Sequence, residues 1–304
     1  MYSFLGLDTS NYTTSASLSS GGIITKSAKK MLVVSDGERG LRQSDAVFQH
    51  TVNIPSVINE IGSTKITAVG VSSTPRDAEG SYMPCFLSGV AVAEAIASVN
   101  GVPLYRFSHQ RGHIAAALYS CKREDLHNGK FLAFHVSGGT TELTLVENRT
   151  ITLLGGTKDI SAGKAIDRIG VKLGMNFPCG KQMEAFASDP DSVKAGKICV
   201  DGLSFNLSGI ENKADELIKN GAEKSYIAAF VLKHVCAVIE KLTENALKIY
   251  GDLPIIYAGG VMSNTYLKTK LSQRFGGMFA DPEYSCDNAA GIARLTELTF
   301  EGKI

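Results

Sequence analysis

Two segments of this chain follow the same pattern about 130 residues apart. The first is GLDTSNYTTSASL, which begins at Gly6, and the second is HVSGGTTELTL, which begins at His135. Each joins two strand-like runs through a short turn of small polar residues, as hairpins do. A pattern that occurs once in each half predicts two similar α/β units.

Strand and helix patterns alternate along the rest of the chain. Buried strands are predicted at ITAVGVSS and LPIIYAGG. Helices are predicted at LSGVAVAEAIASVN, SHQRGHIAAALYS, ISAGKAIDRIGVKLG, YIAAFVLKHVCAVIEKLTENALKIYG and SNTYLKTKLSQRFGG. A duplicated α/β unit that holds a nucleotide between its halves is the architecture of the actin, hexokinase and heat-shock-protein superfamily. We therefore expect this bilobal, ribonuclease H-like (ASKHA) fold, with lobes at 1–110 and 111–287 and a C-terminal helix at 288–304 packing back onto the first lobe.

Composition limits the class of protein. The 304 residues are 44% apolar, which is ample for a buried core, and the formal net charge is +1. Because no global field attracts nucleic acid or membrane, a polyanionic partner would need a local basic patch or a helper protein. The six cysteines show no CxxC spacing, and neither a signal peptide nor an apolar run of about 20 residues is evident. We expect a cytoplasmic protein.

Two histidines, His109 and His113, lie one turn apart on a predicted helix that Ser108 would cap. Residues with this spacing have Cβ atoms about 5–6 Å apart, so both imidazoles can bind one metal ion. Asp287 could supply an oxygen ligand and complete a set that suits iron or zinc. The alternatives are two half-exposed histidines with ordinary hydrogen bonds, and an aspartate that caps a helix.

Glycine-rich turns are the second candidate site. In Ser137–Thr140 the two glycines allow successive backbone N–H groups to point at one anion, although the same residues suit a plain hairpin turn. The glycines of YAGGV would let the backbone approach a base or ribose, with Asn264 as a hydrogen-bonding side chain or a helix cap. Asp167 could accept hydrogen bonds from ribose hydroxyls, or could pair in solvent with Arg168 or Lys172.

In order and spacing, these segments resemble the TsaD family, the tRNA adenosine threonylcarbamoyltransferases formerly described as O-sialoglycoprotein endopeptidases. The resemblance covers nearly the whole chain. It rests on Thr9-Ser10, His109-x-x-x-His113, Val136 to Gly139, Gly163 to Asp167, Pro178 to Gly180, Phe205 to Gly209, Gly259 to Val261 with Asn264, and Cys286 to Ala289. The peptidase description finds no support, because the chain has no HExxH motif and no nucleophile with an evident base.

The resemblance implies an activity and a set of site residues. The family transfers threonylcarbamoyl from threonylcarbamoyl-adenylate to the exocyclic amine of a tRNA adenosine. It places one divalent metal, iron or zinc, on His109, His113 and Asp287. The positions implied to contact the adenine nucleotide or acyl-adenylate are Val136, Ser137, Gly138, Gly139, Asp167, Gly180 and Asn264. Implied partners are a homologous smaller actin-like subunit, a P-loop ATPase and tRNA.

The chain departs from the family at residues that handle the acceptor. Tyr12 and Thr13 occupy the places of a usual Asp-Glu pair, and neither can take a proton near neutral pH as a carboxylate does. Thr140 replaces a histidine, and Lys164 and Lys181 replace an acid and a proline. Three functions therefore stay open: the tRNA transferase, a related carbamoyltransferase or ATPase with another acceptor, and a non-catalytic nucleotide-binding scaffold.

Overall fold

A computed structural model describes residues 2–34 and 41–304, which form two compact units. Unit 1 consists of Met1–Asn128 and Glu283–Ile304, and unit 2 of Gly129–Pro282. The expected boundaries at 110 and 287 differ from these, because the helix after residue 108 packs against the C-terminal helix within unit 1. The C-terminal helix also packs against the first strand of the same unit.

Unit 1 is built on a five-stranded sheet. Its strands are β1 (Phe4–Asp8), β2 (Thr13–Ser20), β3 (Ile23–Met31), β4 (Ala68–Thr74) and β5 (Leu104–Ser108). Their order is β3-β2-β1-β4-β5, with β1–β2–β3 antiparallel and β4 and β5 parallel to β1. Its helices are α1 (Gln43–Ile61), α2 (Phe86–Asn100), α3 (His109–Ser120) and α9 (Ala290–Phe300).

Unit 2 contains a seven-stranded sheet. Its strands are β6 (Lys130–Val136), β7 (Thr141–Glu147), β8 (Thr150–Thr157), β9 (Val200–Asp201), β10 (Ser204–Phe205), β11 (Ile255–Ala258) and β12 (Met278–Phe279). Its helices are α4 (Ala162–Lys172), α5 (Gly180–Phe186), α6 (Ser208–Lys219), α7 (Lys224–Tyr250) and α8 (Thr265–Phe275). The order β12-β11-β6-β7-β8 repeats that of unit 1, and β10 and β9 extend the sheet beyond β8. The predicted duplication is confirmed.

The sheet of unit 1 is covered on both faces. Leu5 and Val69 pack with Val57 of α1 and Ala93 of α2 in one apolar cluster. On the other face α9 approaches so closely that a Cβ at Gly6 would overlap the backbone of Ala289 and Ala293. Glycine is therefore required at this strand position for α9 to reach the sheet.

A buried ionic cluster fixes α9 in unit 1. Arg294 is 3% exposed and donates to both carboxylate oxygens of Glu124 at 2.9 Å. It also donates to Ser19 Oγ at 3.1 Å and forms an ion pair with Glu297. The second oxygen of Glu297 accepts from the backbone N–H of Gly22 at 2.8 Å. The cluster thus joins α9 to the β2–β3 hairpin and to the end of the first segment of unit 1.

The core of unit 2 forms around α7, which is buried along much of its length. Val235 and Leu242 of this helix join Leu132 and Phe134 of β6 in one apolar cluster. Across the described residues, no helix has the length and apolarity that spanning a membrane requires.

Candidate functional site

The two histidines lie at the start of α3, which follows β5 directly. Ser108 caps the helix as predicted, its side chain accepting from the N–H of Arg111 at 3.2 Å. The ring centroids of His109 and His113 are 4.2 Å apart, so the two imidazoles face the same space. The spacing expected from sequence is therefore present.

Asp287 lies against both imidazoles. Its Oδ1 is 3.3 Å from His113 Nε2 and 3.5 Å from His109 Nε2. The capping alternative for Asp287 is wrong, because α9 begins three residues later and Asn288 accepts from the N–H of Ala290 at 2.9 Å. Asp287 instead belongs to the loop before the helix, and its carboxylate is free to join the histidines.

Asp8, which sequence reasoning missed, completes the cluster. It is 1% exposed at the end of β1, and its Oδ2 lies 2.8 Å from His109 Nδ1. Its Oδ1 accepts from the N–H of Ser10 at 2.8 Å. A carboxylate on one ring nitrogen fixes the tautomer and leaves the other nitrogen to bind a metal. An acid at the end of the first strand was the available signal, but its contact with a residue 101 positions away is not visible in sequence.

The electrostatics of the cluster favour a positive charge. Burial lowers the pKa of His109, but the carboxylates of Asp8 and Asp287 outweigh it and raise that pKa to about 10. Burial raises the pKa of Asp287, yet its hydrogen bonds to His109 and His113 bring the pKa well below its usual range. The two carboxylates therefore stabilise a proton or a cation at the imidazoles.

The donor set fits a divalent metal. The potential ligand atoms of His109, His113 and Asp287 all lie within 4.8 Å of one another. Two nitrogens and one carboxylate oxygen suit iron or zinc and leave coordination positions for a substrate. Within 2–34 and 41–304, no other group of three His, Cys, Asp or Glu side chains meets this spacing.

Tyr12 and Thr13 lie where the turn after β1 meets β2. Tyr12 is 41% exposed, whereas Thr13 is 7% exposed and begins β2. The backbone N–H of Thr13 donates to Ser10 O at 3.2 Å. The turn therefore exposes the Tyr12 phenol, whereas Thr13 is buried, and the nearby carboxylate of Asp8 is already engaged with His109.

In unit 2 the loop after β6 packs against the start of α4. Ser137 Oγ accepts from the N–H groups of Gly139 and Thr140 at 3.3 and 3.2 Å. Ser161 caps α4 and donates to Gly138 O at 2.6 Å. A Cβ at Gly163 would lie 2.6 Å from Gly138 Cα, so only glycine permits this contact. The arrangement places glycine backbone at a helix N-terminus, where anions are stabilised.

Asp167 and Gly180 come together beside this helix. Asp167 Oδ1 accepts from the N–H of Cys179 at 2.8 Å, and Gly180 is the next residue. Burial raises the pKa of Asp167, and the Cys179 N–H partly opposes that rise. The solvent pairing is wrong, because Arg168 pairs with Glu211 and Lys172 with Asp215.

The loop after β11 lies against the loop after β6. Gly259 has φ +99°, and a Cβ there would overlap the backbone of Val136. Asn264 Oδ1 accepts from the N–H of Leu267 at 3.1 Å and caps α8, as one alternative predicted. Unit 2 thus brings both glycine-rich loops together, and their nucleotide binding stays a prediction.

Solved structures show the same fold. Component A of (R)-2-hydroxyglutaryl-CoA dehydratase from Acidaminococcus fermentans matches with a TM-score of 0.57 at 13% identity, over 98% of this chain and 99% of that one. Full-length HypF in its phosphate- and nucleotide-bound form matches with a TM-score of 0.61 at 13% identity, over 98% of this chain and 55% of that one. The expected actin-like (ASKHA) fold is confirmed.

Sequence relatives identify the family. The tRNA N6-adenosine threonylcarbamoyltransferase of Riemerella anatipestifer is 27% identical over 98% of this chain and 92% of its own length. That of Lactobacillus acidophilus is 33% identical over 71% of this chain and 66% of its own length. The model of this family matches residues 25–294. The chain therefore belongs to the TsaD family of transferases, the tRNA N6-adenosine threonylcarbamoyltransferases.

Proposed function

We propose that the protein transfers threonylcarbamoyl from threonylcarbamoyl-adenylate to the exocyclic amine of a tRNA adenosine. The observation that carries the proposal is the cluster of Asp8, His109, His113 and Asp287. In the reaction the amine attacks the carbamoyl carbonyl, the bond from that carbon to the phosphate oxygen breaks, AMP leaves and the nitrogen loses a proton. The acceptor is a weak nucleophile, so both the acyl group and the leaving phosphate need stabilisation.

Each group of residues has a proposed role. His109, His113 and Asp287 would hold iron or zinc, which supplies a Lewis acid for the acyl carbonyl. Asp8 orients His109 by accepting from Nδ1–H, which directs Nε2 toward the metal position. Backbone N–H groups of Val136 to Gly139 would stabilise the phosphate. Asp167, Gly180 and Asn264 would contact the nucleoside through hydrogen bonds or close backbone approach.

A second candidate is a related carbamoyltransferase or ATPase with another acceptor. Tyr12 and Thr13 favour it, because a turn without the usual acids offers no carboxylate base for the amine proton. A non-catalytic scaffold is disfavoured, since a scaffold has no evident need of a set of metal ligands. We further propose a cytoplasmic protein that works with a homologous smaller subunit and a P-loop ATPase.

A rescue experiment tests the proposal. The gene, its His113→Ala variant and a Gln110→Ala control from the same helix are expressed in cells that lack their own threonylcarbamoyl-adenosine activity. Mass spectrometry of tRNA nucleosides should show the modified adenosine with the wild type and the control, but not with His113→Ala. Nucleotide binding without any modified adenosine would favour the second candidate.

A further inference from the structure

A cavity of about 110 Å³ lies in unit 1, beside the loop that carries Asp287. Its floor consists of two cross-strand pairs of the β2–β3 hairpin, Ser15 with Lys29 and Ser17 with Ser27. Paired residues project from the same side of a sheet, so these four side chains share one face. The segment 283–290 forms the walls.

The floor of the cavity is polar where a covered sheet face is normally apolar. Ser15 and Ser17 are 2% and 1% exposed. The alternate residues Ala16 and Ala28 project to the opposite face and join the apolar core there. Ser17 Oγ lies 2.9 Å from Ser27 Oγ, so the hydroxyls already form a hydrogen-bonded surface. Buried hydroxyls on this face suit polar contents.

Two opposite charges line the cavity. Lys29 Nζ donates to Cys286 Sγ at 3.3 Å, and the lysine side chain is exposed. The Glu283 side chain lines the same cavity and is exposed. A polyanion would be repelled by Glu283, and a dication by Lys29. The charges therefore match a small molecule that carries one charge of each sign.

The size of the cavity narrows the class of ligand. One water-sized group needs roughly 10–15 Å³ of cavity volume. A cavity of about 110 Å³ therefore holds on the order of 7–11 non-hydrogen atoms. We propose that it binds a free α-amino acid with a small polar side chain. The carboxylate faces Lys29, the ammonium faces Glu283, and the side chain meets the serine floor. An N-acylated amino acid lacks the ammonium, so this site is distinct in chemistry from one for the acylated donor.

Calorimetry with L-threonine tests the inference on full-length protein, both metal-loaded and metal-free, without nucleotide or tRNA. The wild type should bind L-threonine, whereas N-acetyl-L-threonine and L-threoninamide should each bind about tenfold more weakly, since each loses one charged contact. Lys29→Met and Glu283→Gln should weaken L-threonine binding to a similar degree. Lys30→Met, a neighbouring exposed lysine on the other side of the strand, should have no effect.

Three results would overturn the inference. The first is that L-threonine does not bind at concentrations up to about 10 mM. The second is that Lys29→Met and Glu283→Gln bind L-threonine as tightly as the wild type does. The third is that L-threonine binding disappears when the metal is removed. The last would assign the amino acid to the metal ligands. None of these readouts depends on transfer to tRNA, so failure here is distinguishable from failure of the proposed function.

Discussion

At the scale of single residues, Asp8 holds one of the proposed metal ligands, His109, without belonging to the proposed ligand set. It is buried, and its 2.8 Å contact holds His109 by the ring nitrogen that faces away from Asp287. Two carboxylates on one imidazole raise the pKa of His109 to about 10. In such a cluster the orienting acid influences metal affinity through the ligand that it holds.

We expect Asp8→Asn to reduce metal affinity by about 10- to 100-fold, because the amide no longer fixes the imidazole of His109 as a carboxylate does. Metal titration of the purified protein measures the effect. Asp45→Asn, on the exposed side of α1, is the matched control and should bind metal as the wild type does. If Asp8→Asn binds the metal as tightly as the wild type does, Asp8 does not act by orienting His109.

The turn at Tyr12 and Thr13 gives the second residue-scale prediction. If the missing acids limit the reaction, transfer by the wild type should be slow, and Tyr12→Asp with Thr13→Glu should accelerate it by roughly 100- to 10,000-fold. Nucleotide affinity should not change. Since Thr13 is 7% exposed, a thermal melt must accompany the assay, and the single Tyr12→Asp variant avoids burying a charge. A wild type as fast as ordinary family members would contradict the second candidate function, a related enzyme with another acceptor.

At the scale of elements, close packing between a loop and a helix shapes the glycine-rich site of unit 2. We expect Gly163→Ala to weaken AMP binding and to cost about 1–3 kcal/mol of stability, because its Cβ would overlap the backbone of Gly138. Gly209→Ala in α6 is the stability control, since its Cβ meets nothing within 4 Å. Calorimetry and urea unfolding report the two effects. If Gly163→Ala binds AMP with unchanged affinity, the contact between the loop after β6 and α4 does not contribute to nucleotide binding.

The buried cluster of α9 gives a prediction of stability. Arg294→Leu leaves the carboxylates of Glu297 and Glu124 uncompensated and should cost about 3–5 kcal/mol. Arg106→Leu removes an exposed ion pair with Glu94 and should cost about 1 kcal/mol or less. Denaturant unfolding compares the two. Similar losses for both variants would show that the buried network contributes no more than a surface pair.

Elements with local signals were predictable, and contacts across the chain were not. The helix of His109 and its Ser108 cap, and the end of α2 at Asn100, follow from short-range patterns and were confirmed. The contact between Asp8 and His109, and the pairing of Asp167 with the Cys179 backbone, depend on how distant segments pack. For the same reason Asp287 resembled a helix cap in sequence, although the structure places it in the loop before α9.

At the scale of the whole molecule, each unit carries its own candidate site on the same strand order. The metal-ligand set lies entirely in unit 1, and the glycine-rich loops with Asp167 and Asn264 lie entirely in unit 2. The duplication therefore provides two scaffolds, and the proposed ligands of their loops differ. Because the two candidate sites lie in different units, the proposed metal binding and the proposed nucleotide binding can be tested independently.

We expect His113→Ala to lose about one metal ion per chain while binding AMP with unchanged affinity, because its contacts with His109 and Asp287 lie in unit 1. Conversely, Asp167→Ala and Asn264→Ala should weaken AMP binding but leave the metal content unchanged. AMP is the appropriate probe, since it lacks the acyl group that the metal would polarise. Elemental analysis and calorimetry on the same preparations supply both readouts. If His113→Ala changes AMP affinity while its melting temperature stays that of the wild type, the two sites are coupled, and each unit must then be treated as part of the other's binding site.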